Sequence, residues 1–198
     1  MNDTTLAAQA PDLARAQADM RTAYWHGAFG VLSSALTWAI AAGVAALGKP
    51  QQAVWTLLIG GMFIFPLSLG LARLAGRTGM HEKTNPLGRL AMLSTIGLLI
   101  GCALALAVAT RKLEWFFPTM LLVIGVRYFA FTKVYGLRIY WSCGLALAAA
   151  GLVLGLLLAT PSPELKAAGP FLGAITGAVI EALFGALLLR QGRQATRP

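Results

Sequence analysis

Residues 173–190 read GAITGAVIEALFGALLLR, and Glu181 is the only charge before Arg190. Written in fours, the stretch pairs Gly173 with Ala174, Gly177 with Ala178, Glu181 with Ala182 and Gly185 with Ala186, each pair followed by two larger residues. Positions four apart stack on one face of an α-helix, so Gly173, Gly177, Glu181 and Gly185 make one ridge and the alanines the ridge beside it. The period predicts a helix whose small residues let another backbone approach closely. The rest of the chain decides whether that helix sits in water or in a bilayer.

The 198 residues are 58% apolar and only 12% charged, with a mean hydropathy of +0.71, whereas a soluble domain is about a quarter charged. Six apolar stretches, residues 28–47, 53–74, 87–110, 115–132, 139–159 and 169–189, are each close to the roughly 20 helical residues that cross a hydrocarbon core of about 30 Å. The expected fold is therefore all-α, a polytopic six-helix transmembrane bundle. Span length and the lack of alternation exclude a β-barrel. The expected organisation is an N-terminal cytoplasmic or interfacial segment at 1–25, a six-span domain at 26–190 and a basic cytoplasmic tail at 191–198. The connections are too short to hold a separate catalytic domain.

A net charge of +9 suggests nucleic acid in a soluble protein, but in a polytopic one its division between the two sides matters more. Arg15, Arg21, Arg73, Arg77, Lys83, Arg89, Lys133, Arg138, Arg190, Arg193 and Arg197 fall on the side of both termini, and Lys49, Arg111, Lys112 and Lys166 on the other. Both ends are thus expected in the cytoplasm, with no nucleic-acid partner. Trp25 and Trp141 at inner span ends and Trp55 and Trp115 at outer ends agree, since the indole ring prefers the interface. Trp38 lies deeper and is expected to pack between helices.

The first 25 residues lack the features of a signal peptide and are expected to stay attached. Asp12 after Pro11 reads as the cap of a helix on the inner surface. Its apolar face, Leu13 and Met20, is thin, which predicts loose attachment or a bound partner. The loop GRTGMHEKTNPLGR at 76–89 has glycine breakers and a proline that starts the next helix.

Little here suggests an enzyme. Cys102 and Cys143 lie inside predicted spans and read as core residues. His26 and His81 have no metal ligands at useful spacing, and His81-Glu82 is not followed by the second histidine of a zinc protease. All three aspartates lie in the N-terminal segment, and no serine elbow occurs. No cofactor, metal site or catalytic residue is expected, and membrane lipid is the obvious partner.

Small residues at fourfold spacing are the main packing device in lipid. They recur at Gly97, Gly101, Ala105 and Ala109 and at Gly151 and Gly155, predicting helix packing there and leaving room for a homodimer. Spans three and six align with Gly101 opposite Glu181. Six helices divide as three plus three of opposite orientation, as in inverted-repeat transporters, although helices rich in Ala, Leu and Gly align equally well by chance. Pro66, after Gly60 and Gly61, is a kink or hinge position. Pro118 and Pro170 read as helix starts.

A carboxyl at the depth of Glu181 is tolerated if it takes up a proton or pairs with a cation. The cation at hand is Arg127. Each is twelve residues, about 18 Å, past the outer start of its span, so their depths match, although Arg127 also has the option of snorkelling toward Lys133. The two define a candidate ion or substrate site in a small transporter or channel component. The alternative is a structural or accessory protein in which Glu181 and Arg127 only hold helices together. A third reading, chemistry on a lipid headgroup, needs only one Glu and one Arg.

The stretches GGMFIFPLSLGLARL (60–74), NPLGRLAMLSTIGLL (85–99) and LEWFFPTMLLVIGVRYFAFTKVYGLRIYW (113–141) resemble a family of small bacterial multi-pass membrane proteins known only as a domain of unknown function. The resemblance covers roughly residues 25–158 and implies a bacterial inner-membrane protein. The family often carries a histidine near the position of Arg127 or Tyr128. This chain has none there, and no histidine role carries over.

Overall fold

The computed structural model describes residues 3–194, with side chains from Asp12 onward; Arg197 of the basic tail lies outside the described residues. Helices α1 (Asp3–Ala23), α2 (Ala28–Ala46), α3 (Pro50–Leu74), α4 (Pro86–Ala109), α5 (Phe116–Tyr135), α6 (Arg138–Leu158) and α7 (Pro163–Gln194) are joined by short connections, including 3-10 turns at Trp25–Gly27 and Leu113–Trp115. No strand occurs among the described residues. Helices α2 to α7 are each long and apolar enough to span a membrane, which makes this a multi-pass membrane protein.

The helix ends follow local chemistry. Asn85 caps α4, its Oδ1 accepting from the Leu87 N–H at 3.0 Å ahead of Pro86. Gly136, at φ +67°, ends α5 in the left-handed conformation that glycine adopts without steric cost. Helix α7 starts earlier than expected. Ser162 accepts from the Leu165 N–H at 3.2 Å and Pro163 and Glu164 fill the first turn, a helix start that satisfies otherwise orphaned N–H groups. Pro170 is consequently inside α7 and not at its start.

The most extensive packing joins α2 to α7, followed by α5 to α6, α2 to α3 and α4 to α5. One arrangement therefore appears twice: the hairpin α2–α3 takes α7 against its first helix, and the hairpin α5–α6 takes α4 against its own. Helices α3 and α4 are the least buried. On α3, Pro66 faces outward. Replacing it with alanine restores a donor for the Met62 carbonyl, and hydrogen exchange in that turn is expected to slow; unchanged exchange would show that Pro66 does not loosen α3.

The α5–α6 seam has the closest backbone approach. A Cβ on Gly125 would fall 2.7 Å from the Gly144 carbonyl oxygen, and one on Gly151 would fall 2.7 Å from that of Pro118. Gly97 corrects the expectation from spacing. Nothing lies within 4 Å of where its Cβ would be, because this side of α4 has no helix against it; Gly101, one turn on, does pack, against Val123.

Helix α1 also departs from expectation. It begins at Asp3, before the Asp12 cap anticipated, and its second half is docked, with Met20 and Ala23 buried. Polar contacts supply what the thin apolar face lacks. Gln17 Nε2 donates to the Lys133 carbonyl at 2.9 Å and Arg21 Nη1 to that of Tyr135 at 2.7 Å. These satisfy the last carbonyls of α5 and place a cation at its negative dipole end. Asp19 Oδ2 accepts from the Glu82 N–H at 3.0 Å and from Asn85 Nδ2 at 2.7 Å, placing an anion at the positive start of α4. Tyr24 meets His81 Nδ1 at 2.9 Å. Burial raises the Tyr24 pKa above its ordinary 10.0, so this contribution to docking is fully present below pH 10 and is lost as the pH rises from there through the raised value. Asp19→Ala is expected to cost about 1–2 kcal/mol, read as faster amide exchange in residues 13–23; unchanged exchange would show that α1 is held without its polar clasp.

Candidate functional site

Glu181 is fully buried, with 0% of its surface exposed. It lies midway along α7, whose 32 residues extend about 48 Å. The ridge foreseen from the sequence faces the bundle interior, and Gly173, Gly177, Glu181 and Gly185 are all buried. Its glycines, however, receive side chains first, with backbone behind them at Gly173 and Gly185. A Cβ on Gly177 would fall 2.6 Å from the Trp38 indole and one on Gly185 2.6 Å from Leu32 Cδ2, while Gly173 lies against Phe117. Trp38 and Leu32 come from α2 and Phe117 from α5, so two helices fill the sockets. Trp38 is wholly enclosed, as its depth predicted.

The partner of Glu181 is Tyr128. Its hydroxyl donates to Oε1 at 2.8 Å, joining α5 to α7 inside the bundle. Ser34 of α2 lies beside the same carboxyl, whose Oε2 forms no close hydrogen bond with the protein. Ser33 Oγ and Trp38 Nε1, on the same helix, are also buried without partners. Buried polar atoms are nearly always hydrogen-bonded, so unpartnered groups such as Oε2 are unusual within an apolar core.

Arg127 forms no ion pair with Glu181, although the two are near enough for their charges to act on each other. Arg127 adjoins Tyr128 in sequence, and successive residues on a helix point about 100° apart. With Tyr128 directed at α7, Arg127 turns toward α4, where Nη2 donates to Thr95 Oγ1 at 3.3 Å and the guanidinium lies 5.0 Å above the Phe131 ring. Matching depth did not supply matching direction.

The tyrosines continue the site toward the α1 side of the bundle. Tyr140 stacks on Tyr128 at 5.8 Å and on Tyr135 at 5.2 Å, and its hydroxyl donates to the His26 carbonyl at 2.7 Å. His26 belongs to a turn in which Trp25, His26 and Gly27 all have positive φ, at 48°, 58° and 77°. Two non-glycine residues in that region are costly. The Tyr140 hydroxyl and the Tyr135 ring fill the space that a Cβ on Gly27 would need. Tyr128 was legible in principle: Phe117, Leu121, Tyr128 and Tyr135 are spaced by four, seven and seven, a helical stripe that excludes Arg127, and all four are buried.

Among the described residues, no group of three His, Cys, Asp or Glu side chains is placed to hold a metal ion. Cys143 is buried and Cys102 partly so, and both are free thiols.

Residues 13–191 match a family of unknown function, DUF7010, and the chain belongs to that family. No curated protein matches the chain. No solved structure matches it either.

Proposed function

We propose that this member of the family is a small, non-enzymatic transporter or channel component in which Glu181 is the exchange site for a proton or small cation. The observation that carries the reading is a fully buried carboxyl with Oε1 held by Tyr128 and Oε2 in no close hydrogen bond with the protein. An ionisable group inside a membrane is expensive and typically marks a pathway. The stacked tyrosines support a route from Glu181 toward the α1 side, and the twice-used hairpin arrangement fits alternating access between two inverted halves. The basic residues favour cytoplasmic termini in a bacterial inner membrane.

The test is reconstitution in liposomes carrying a pH-sensitive dye. The wild type is expected to dissipate an imposed proton or cation gradient in a pH-dependent way, and Glu181→Gln, which keeps shape and hydrogen-bonding capacity, is expected to abolish this while still folding. No gradient-driven flux in the wild type, or equal flux in both, would overturn the reading.

A second reading, an accessory protein in which Glu181 is structural, is favoured by the filled sockets at Gly173, Gly177 and Gly185. It predicts that Glu181→Gln alters melting or assembly and no flux.

A further inference from the structure

A groove of about 360 Å³ runs between α4 and α5. Its size falls in the roughly 300–1,000 Å³ range of small-ligand sites. Its walls are not uniform. Ser94 and Arg127 mark one end, eight residues after Pro86 and eight before Tyr135 and so about 12 Å from those helix ends, and Gly97, Gly101, Val123 and Val126 continue away from it. The polar end is the one nearer the α4 start and the α5 end, the side on which α1 docks. Val126 is 63% exposed, and the space beside Gly97 is open, so in a bilayer the groove faces lipid.

Arg127 is under-partnered for such a place. A guanidinium carries five N–H donors, yet one hydrogen bond, to Thr95, is formed, and the buried Nε has no acceptor. No carboxylate among the described residues lies within ion-pairing distance; the described ion pair is Arg15 with Glu82, on the surface. The side chain extends over Phe131, one turn closer to the α5 end, as a cation does when it reaches from hydrocarbon toward the interface.

We propose that this groove holds one anionic lipid of the leaflet on the α1 side, its acidic headgroup on Arg127 and an acyl chain over Gly97. Charge complementarity selects the headgroup, because a cation without an ion-pair partner is best satisfied by a lipid phosphate whose charge no headgroup ammonium offsets. The missing side chain at Gly97 leaves open space that the chain occupies. The inference rests on Arg127 and the groove alone and is independent of the role of Glu181.

Native mass spectrometry of the full chain, titrated in detergent with phosphatidylglycerol or phosphatidylcholine of identical chains, tests it. The wild type is expected to prefer phosphatidylglycerol about tenfold, the size of a single charge-assisted contact. Arg127→Gln is expected to bring the two lipids to parity. Gly97→Leu fills open space, so it is expected to keep the wild-type melting temperature while losing both lipids. An absent preference in the wild type, a preference surviving Arg127→Gln, or wild-type retention by Gly97→Leu would each overturn the proposal. Should Arg127→Gln fail to fold, Gly97→Leu decides the matter, since it leaves the charge in place.

Discussion

Gly144→Leu is expected to destabilise the protein by more than about 3 kcal/mol, above the usual range for overpacking a core. A Cβ at Gly144 would stand 2.6 Å from the Gly125 carbonyl oxygen and 2.9 Å from Phe129 Cε1, and one at Gly125 would stand 2.9 Å from the Ala148 nitrogen. The obstacles on both sides include backbone, which cannot rotate aside as a flexible side chain can. The α5–α6 hairpin must separate to admit the new residue, and α5 carries Tyr128. Thermal melting in detergent should show a large loss for Gly144→Leu beside almost none, about 0.5 kcal/mol or less, for Gly97→Leu. Equal melting of the two variants would mean that the seam is not where α5 and α6 meet.

The second large effect concerns the carboxyl. Glu181→Ala removes a wholly enclosed side chain and leaves the Tyr128 hydroxyl without its acceptor, which together are expected to cost about 2–5 kcal/mol. Tyr128→Phe should cost less, since it removes one oxygen. Combined with Glu181→Ala in a double-mutant cycle, it should reveal a coupling of about 0.6–1.7 kcal/mol, the range for hydrogen bonds between membrane helices. A coupling near zero would show that Tyr128 and Glu181 do not meet in the membrane. The cycle reports the contact and the liposome assay reports its use, so a real coupling without flux would leave Glu181 as a strut between α5 and α7.

The glycines show how spacing is to be read in this chain. The fourfold period at 173–185 identified the buried face of α7, but it did not say that Trp38, Leu32 and Phe117 would occupy the sockets. Similar spacing on α4 produced one packed glycine, Gly101, and one open one, Gly97. The closest backbone contact, Gly125 against Gly144, links two glycines on different helices; the period Gly144, Ala148, Gly151, Gly155 marks the α6 face but not which helix meets it.

Composition, span length and small-residue period were enough to determine an all-helical membrane protein, the six spans and the inward-facing ridge bearing Glu181, because hydrophobic length and side-chain periodicity are properties of one helix at a time. The partner of that carboxyl was decided by tertiary structure. Depth in a bilayer is counted along the chain, whereas the direction of a side chain matters only once its helix has been rotated against its neighbours. Packing the Phe117–Tyr135 stripe against α7 turned Tyr128 inward and, one residue away, sent Arg127 to a lipid-facing groove.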